Sequence, residues 1–247
     1  MPDNFPPATA RKADLGAVLL ALVLPSLVTW VYFVAFQGAA ASLQQGVYAA
    51  GKIIQFGFPI FWVLVVQRRR LRLKWPRAAG VIEGIAFAAL VLLSMWLLYH
   101  GWLRASSQFG PAEMAIRQKV ISFGIDTASK YMALAIFYSL GHSFLEEYYY
   151  RWFVFGQLRR FVSLPLAILV SSLGFAAHHV IVLGLYFGYL SWPTVFFSPA
   201  IAAGGAVWAW IYYRSDSLLG PWLSHLMVDA AIFVIGYDMV HNLFVGY

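Results

Sequence analysis

Long apolar stretches alternate with short polar or basic segments along the whole chain. A helix needs about 20 mostly apolar residues to cross a bilayer, and about seven stretches of this chain are that long. We predict spans at 15–36, 48–66, 79–100, 127–150, 162–184, 195–213 and 218–240. The pattern therefore predicts an all-α fold, a polytopic bundle of about seven transmembrane helices.

Two segments outside the spans have a recognisable character. Residues 1–14 are polar and contain proline, so we expect a short disordered tail. Residues 101–126 form the longest stretch between spans, and its sequence AEMAIRQKVISF predicts an amphipathic helix at the membrane interface. Lys52 falls within the second predicted span, where we expect its aliphatic stem to snorkel toward the interface.

Composition supports the membrane assignment. The 247 residues are 62% hydrophobic and 11% charged, with a mean hydropathy of +0.72. Soluble domains have about 45–50% apolar and about 25% charged residues, so a soluble protein of this composition would have a surface almost without charge. The absence of cysteine excludes disulfides, thiolate metal sites and a cysteine nucleophile.

The net charge is +7. The distribution of the basic residues between the loops indicates the orientation of the protein in the membrane, not nucleic-acid binding. With the N-terminus in the cytoplasm, the basic residues of the inner segments are Arg11, Lys12, Arg68, Arg69, Arg70, Arg72, Lys74, Arg77, Arg159, Arg160 and Arg214. Those of the outer segments are Arg104, Arg117, Lys119 and Lys130. This excess inside follows the positive-inside rule. We expect a multi-pass protein of a bacterial inner membrane with a cytoplasmic N-terminus.

Two acids interrupt the aromatic run FLEEYYYRWFVFGQL. An ionisable side chain costs about 2.5–3.5 kcal/mol or more at the centre of a bilayer, so these acids indicate a function. Glu147 and Arg151 are four residues apart and share a helix face, which predicts an ion pair that stabilises the helix. Glu146 is turned about 100° away and remains for general acid–base chemistry. His142, one turn before Glu146, fits either a supporting or a packing role.

Two later spans each carry a histidine motif. Phe175 precedes His179 by four residues, and His225 precedes Asp229 by four, so each pair lies on one helix face. We expect Asp229 to orient His225. A lone histidine in a span is more often a packing residue. Three late spans together carry Glu146, His179, His225 and Asp229. These side chains supply a base, a partner for an attacking water and a donor for an oxyanion.

In their order, these motifs resemble the signature of the CPBP intramembrane proteases, the family of type II CAAX prenyl endopeptidases and Abi proteins. The family pattern reads EExxxR, FxxxH and HxxxN/D, and the resemblance covers about residues 127–235. It implies a glutamic intramembrane endopeptidase without a metal or other cofactor. Its substrate would be a membrane-embedded or lipid-anchored protein or peptide, although cleavage of prenylated tails does not carry over from the resemblance.

The resemblance also implies a role for each motif residue. Glu146 and His179 would activate water, and His225 and Asp229 would stabilise the oxyanion. The residues that would hold the site together are Glu147, Arg151 and Phe175. Asp229 stands where the prenyl-processing enzymes have asparagine. Because an ionised carboxylate cannot donate a hydrogen bond, Asp229 must carry a proton or else orient His225.

We accordingly divide one domain into two parts. Residues 1–126 comprise the tail, three accessory spans and the interfacial loop, and residues 127–247 form a catalytic core of four spans.

Three other interpretations stay open. Glu, His and His are a workable zinc set, although the chain lacks HExxH; the fold could serve as a non-catalytic scaffold or immunity protein; and buried Glu and His can relay protons in a transporter.

Overall fold

A computed structural model describes residues 8–70, 78–106 and 109–244. Every regular element in these ranges is helical, which confirms the predicted all-α fold. The α-helices are α1 (Ala8–Trp30), α2 (Ala41–Phe61), α3 (Ala78–Gly101), α4 (Phe109–Ser122), α5 (Ala128–Ile136), α6 (Ser143–Glu147), α7 (Gly156–Leu158), α8 (Leu164–Phe187), α9 (Trp192–Ser215) and α10 (Leu219–Val240). The π-helical segments are Val31–Ala35, Trp62–Val66, Phe137–His142 and Tyr148–Phe155, and the 3-10 turns are Leu103–Ala105 and His241–Leu243.

Within the described ranges, six helices are long and apolar enough to cross a membrane. They are Arg11–Ala35, Ala41–Val66, Ala78–Ala105, Leu164–Phe187, Trp192–Ser215 and Leu219–Leu243. The chain is therefore a multi-pass membrane protein. The fourth predicted span, 127–150, is also helical, but its acids and histidine make it less apolar than the other six. We call the helical segment Ala128–Leu158 the glutamate helix.

One expectation about the flanking segments needs adjustment. Helix α1 begins at Ala8, so the second half of the predicted tail is helical, and residues 1–7 lie outside the described residues. Arg72, Lys74 and Arg77 of the basic loop also lie outside them. Helix α4 confirms a helix in the loop 101–126, and its location at the interface stays a prediction.

The described residues divide into two compact units. Unit 1 consists of those in Met1–Leu73, Tyr149–Val182 and Ser198–Ala209. Unit 2 consists of those in Lys74–Tyr148, Leu183–Phe197 and Trp210–Tyr247. The units interleave along the chain, and the functional division at residue 126 stays a prediction.

In unit 1, a proline creates an attachment point for the glutamate helix. Pro25 lies inside α1 and has no N–H, so the Ala21 carbonyl lacks its usual donor four residues on. The Tyr149 hydroxyl donates to this carbonyl at 2.8 Å. Tyr149 is fully buried and is only two residues from Glu147 in sequence, so this hydrogen bond fixes α1 to the glutamate helix close to the acids.

A polar cluster in unit 1 gathers three helix ends. Asp14 Oδ1 accepts hydrogen bonds from Trp62 Nε1 at 2.9 Å and Gln67 Nε2 at 2.7 Å. Asp14 Oδ2 accepts from Arg160 at 2.7 Å. The beginning of α1, the end of the α2 span and the end of the glutamate helix therefore lie together.

In unit 2, α3 and α10 run parallel to each other. Near their beginnings, the Gly84 backbone touches Gly220, where a Cβ atom would collide with the opposite chain. Near their ends, the Tyr99 hydroxyl donates to Asp238 at 2.7 Å. The buried apolar core of this unit surrounds those ends and comprises Tyr99, Leu103, Val120, Ile125, Tyr131, Met239 and Val240.

The glutamate helix runs antiparallel to α10 in unit 2. Tyr131 near its beginning donates to the Phe233 carbonyl at 2.9 Å, and Trp222 Nε1 in the first turn of α10 donates to the Leu140 carbonyl at 3.0 Å. The helix thus begins beside the C-terminal end of α10, whereas Arg160 just beyond its end contacts Asp14 in unit 1. That the glutamate helix crosses the membrane as a seventh span stays a prediction.

Candidate active site

Glu146 and Glu147 lie in α6, a five-residue helix between two π-helical segments. The wider turns of π-helix are rare and frequently occur at functional sites. The two acids are 3% and 0% exposed, respectively. Buried carboxylates are costly unless other groups bind them, so their partners determine what the site can do.

Glu147 binds a histidine that is distant in sequence. His225 Nδ1 lies 2.9 Å from Glu147 Oε1, and both side chains are buried. Because a carboxylate accepts, the Nδ1 atom carries the proton. This contact fixes the orientation of the imidazole ring, so that Nε2 points away from Glu147.

Two more carboxyl groups lie on the Nε2 side of His225. Glu146 Oε2 is 3.8 Å and Asp229 Oδ1 is 3.6 Å from Nε2, both at ion-pair distance and slightly too far for a direct hydrogen bond. The sequence predicts that Asp229 orients His225. The structure gives the short hydrogen bond to Glu147 and puts Asp229 beside the opposite nitrogen.

His142 holds the second oxygen of Glu146. Its Nε2 lies 3.2 Å from Glu146 Oε1, one helical turn before the acid. Glu146 therefore has one carboxylate oxygen near His142 and the other on the side of His225. The four-residue spacing is compatible with this supporting contact, although the sequence alone fits a packing role for His142 equally well.

His179 lies on α8 in unit 1. Its Nδ1 donates to the Phe175 carbonyl at 3.0 Å, which leaves Nε2 as the lone-pair nitrogen of the neutral ring. Its neighbour His178 is buried, with Nδ1 3.3 Å from the Tyr150 hydroxyl. Tyr150 also donates to the Gly174 carbonyl at 3.2 Å, so its hydroxyl oxygen can accept from His178.

Arg151 is buried among aromatic rings in unit 1. Its guanidinium carbon lies 4.6 Å from the Phe175 ring centroid and 5.2 Å from that of Trp208. Cation–π contacts of this kind contribute about 2 kcal/mol or more when desolvated. Phe175, the first residue of the second motif, thus packs against both Arg151 and His179.

The predicted site residues fall into two groups. Unit 2 brings together Glu146, Glu147, His225 and Asp229, and unit 1 holds Arg151, Phe175 and His179. The Glu147–Arg151 ion pair and the joint action of Glu146 with His179 join residues of different units and stay predictions. Carboxylates and imidazoles also bind zinc. Each of the two sets of residues therefore contains side chains that a metal would use.

The comparison with known families fits the motifs. Residues 128–231 match the family model of type II CAAX prenyl endopeptidase Rce1-like proteins. This segment is similar to the CAAX protease family. The match covers less than half of the chain and includes all seven predicted site residues. No curated protein and no solved structure matches the chain. The family is one of proteases, which supports peptidase activity in the membrane.

Proposed function

We propose that this chain is a glutamic intramembrane endopeptidase that hydrolyses a peptide bond of a membrane-embedded or lipid-anchored protein. The observation that carries the proposal is the buried arrangement around His225. Glu147 binds Nδ1, and Glu146 and Asp229 lie on the side of Nε2. One imidazole among three carboxyl groups provides both a proton acceptor and a proton donor at one place.

Glu146 is the general base of this mechanism. Its Oε1 is held by His142, so Oε2 is the oxygen that takes the proton from water. His179 presents Nε2 as a second acceptor for the same water. The water oxygen bonds to the carbonyl carbon of the substrate, and the proton moves to Glu146.

His225 and Asp229 stabilise the oxyanion that this attack creates. As an imidazolium, His225 donates Nδ1–H to Glu147 and Nε2–H to the oxyanion. Protonated Asp229, on the same side, is the second donor. When the tetrahedral intermediate collapses, the C–N bond breaks and Glu146 returns its proton to the amine. Glu147 is then a positioning residue, because it acts through His225.

The orientation of the protein follows from its basic residues. The N-terminus and the end of the glutamate helix face the cytoplasm of a bacterial inner membrane, since Arg159 and Arg160 lie directly beyond that end. A substrate is thus cleaved within the bilayer.

Comparison of protein termini tests this function. Membrane proteomes of cells expressing the wild-type chain, Glu146→Gln and Glu113→Gln would be compared for new N-termini. Glu113 pairs with Arg117 on α4 and is the matched control. We expect new termini in wild-type and Glu113→Gln cells that are lost in Glu146→Gln cells. Identical termini in all three would contradict the proposed activity.

A further inference from the structure

Basic side chains gather in unit 1 at the ends of candidate spans, and the proposed mechanism does not use them. One span begins at Arg11, a second ends at Val66 and a third begins at Leu164. Because the end of an apolar span lies beside the lipid headgroups, side chains at these ends lie at the level of the lipid phosphates. The basic residues there include Arg11, Lys12, Arg68, Arg69, Arg159 and Arg160.

The charge of this surface is almost unopposed within unit 1. Asp14 is the one acidic side chain among the described residues of the unit. It is 6% exposed and accepts hydrogen bonds from Arg160 and Gln67, both at 2.7 Å. The carboxylate thus brings Arg160 close to Arg68 and Arg69, which directly follow Gln67. A single acid cannot balance these cations, so the surface favours an anionic partner.

Two of the cations lie against one aromatic ring. The guanidinium carbons of Arg11 and Arg160 are each 5.8 Å from the ring centroid of Phe161. Like charges this close repel each other, and an anion bound by both would offset the repulsion. Arg160 uses one nitrogen, Nη1, to bind Asp14 and Gln157. Since a guanidinium has five N–H groups, Arg160 is held in place and can also bind a phosphate.

The backbone at Arg68 is in a conformation that arginine rarely adopts. Its φ of 51° lies in the left-handed region, which costs energy for a residue with a Cβ atom. The next N–H, that of Arg69, donates to the Val63 carbonyl at 2.9 Å and so satisfies a carbonyl at the helix end. Strained residues of this kind cluster at ligand-binding segments, which agrees with a ligand at this turn.

An apolar ridge continues from the basic surface along α1. Leu15, Leu19 and Val23 follow Arg11 at intervals of four residues, which places the four side chains on one ridge of the helix. They are 40%, 55% and 60% exposed, respectively. A ligand with a charged head and an apolar chain therefore matches this surface, whereas a free phosphate or an acidic protein would use the charged part alone.

We propose that Arg11, Arg68, Arg69 and Arg160 bind the phosphate of an anionic phospholipid whose acyl chain lies along α1. Arginine binds phosphate oxygens through two parallel N–H groups, and basic pockets between helices at the membrane surface bind lipid headgroups. A zwitterionic lipid fits less well, because its own cation would face the arginines. The bound lipid joins the beginning of α1, the end of the α2 span and the end of the glutamate helix. This inference is independent of the proposed peptidase activity.

Lipid titration of the full-length protein, followed by native mass spectrometry from a neutral detergent, tests the site. The probes are phosphatidylglycerol, phosphatidylcholine with the same acyl chains, and glycerol phosphate. We expect one phosphatidylglycerol per chain to bind at least about tenfold tighter than phosphatidylcholine, the scale of one hydrogen bond to a charged group. Equal affinities for the two lipids would overturn the proposal without any variant. Glycerol phosphate that binds as tightly as phosphatidylglycerol would overturn it in favour of a free-anion site.

Two double variants separate a site from general attraction between charges. Arg11→Gln with Arg69→Gln changes two exposed side chains of the surface and should remove the preference for phosphatidylglycerol. Arg104→Gln with Lys119→Gln removes the same charge from unit 2 and should leave the preference intact. Thermal unfolding in detergent without lipid verifies that both proteins fold. An equal loss in both double variants, or a preference that persists in the first, would overturn the site.

Discussion

His225 Nδ1 lies 2.9 Å from Glu147 Oε1, although the two residues are 78 positions apart. This contact assigns different environments to two adjacent acids. Glu147 faces the nitrogen that fixes the ring, and Glu146 faces the nitrogen that remains for chemistry. Substitution of Glu146 and substitution of Glu147 should therefore impair different properties of the protein.

Glu147→Gln should destabilise the protein, because it removes the charge that binds His225. Loss of one partner of a buried pair costs about 3–5 kcal/mol. Glu146→Gln should fold normally and lose turnover, because it removes the base. Thermal unfolding of both purified variants in detergent, with cleavage assays alongside, checks the contrast. Equal stabilities together with an active Glu146→Gln protein would refute both roles.

Asp229→Asn should keep activity, because an amide donates from the same place as a protonated carboxyl group. In the wild type, activity should fall as the pH rises and Asp229 ionises, since the anion cannot donate. The Asn variant should lack this fall. If Asp229 acted instead as an anion, its replacement would lower turnover by about 10²-fold or more, the scale of one oxyanion contact. A folded but inactive Asn variant would decide for the anion.

The seven-span topology can be tested with single cysteines, because the chain has none of its own. Ser129→Cys and Ser163→Cys flank the glutamate helix at exposed positions, and Arg69→Cys marks the cytoplasmic side. An impermeant maleimide applied to whole cells should label the cysteine at position 129. The cysteines at positions 163 and 69 should react only after the membrane is permeabilised. Labelling of positions 129 and 163 from the same side would mean that the glutamate helix does not cross.

Activity should survive chelators, because the proposed base and donors are protein groups. His179→Ala should abolish cleavage, since it removes an acceptor for the water, and it should leave the metal content unchanged. Elemental analysis of both proteins, with cleavage measured before and after dialysis against a chelator, provides the check. One zinc per chain that is lost together with activity in His179→Ala would establish the metalloprotease instead.

The sequence predicted the helices better than it predicted the contacts between them. Apolar stretches located every candidate span, but α2 extends seven residues before its predicted start because Gln44 and Gln45 are tolerated in a helix outside the most apolar stretch. Spacing by four correctly placed His225 near Asp229 and His142 near Glu146. It could not place Glu147 beside His225, since local spacing carries no information about which helices pack together.

The hydrogen bond from Tyr149 to Ala21 has a consequence for biosynthesis. Its donor is made 128 residues after its acceptor, so α1 enters the membrane long before Tyr149 exists. Until then the Ala21 carbonyl, which Pro25 deprives of its helical donor, lacks this partner in the lipid, where an unsatisfied backbone group costs several kcal/mol. The first helix can therefore reach its final state only once the ribosome has passed the two glutamates, which couples maturation of the N-terminal half to synthesis of the proposed catalytic segment.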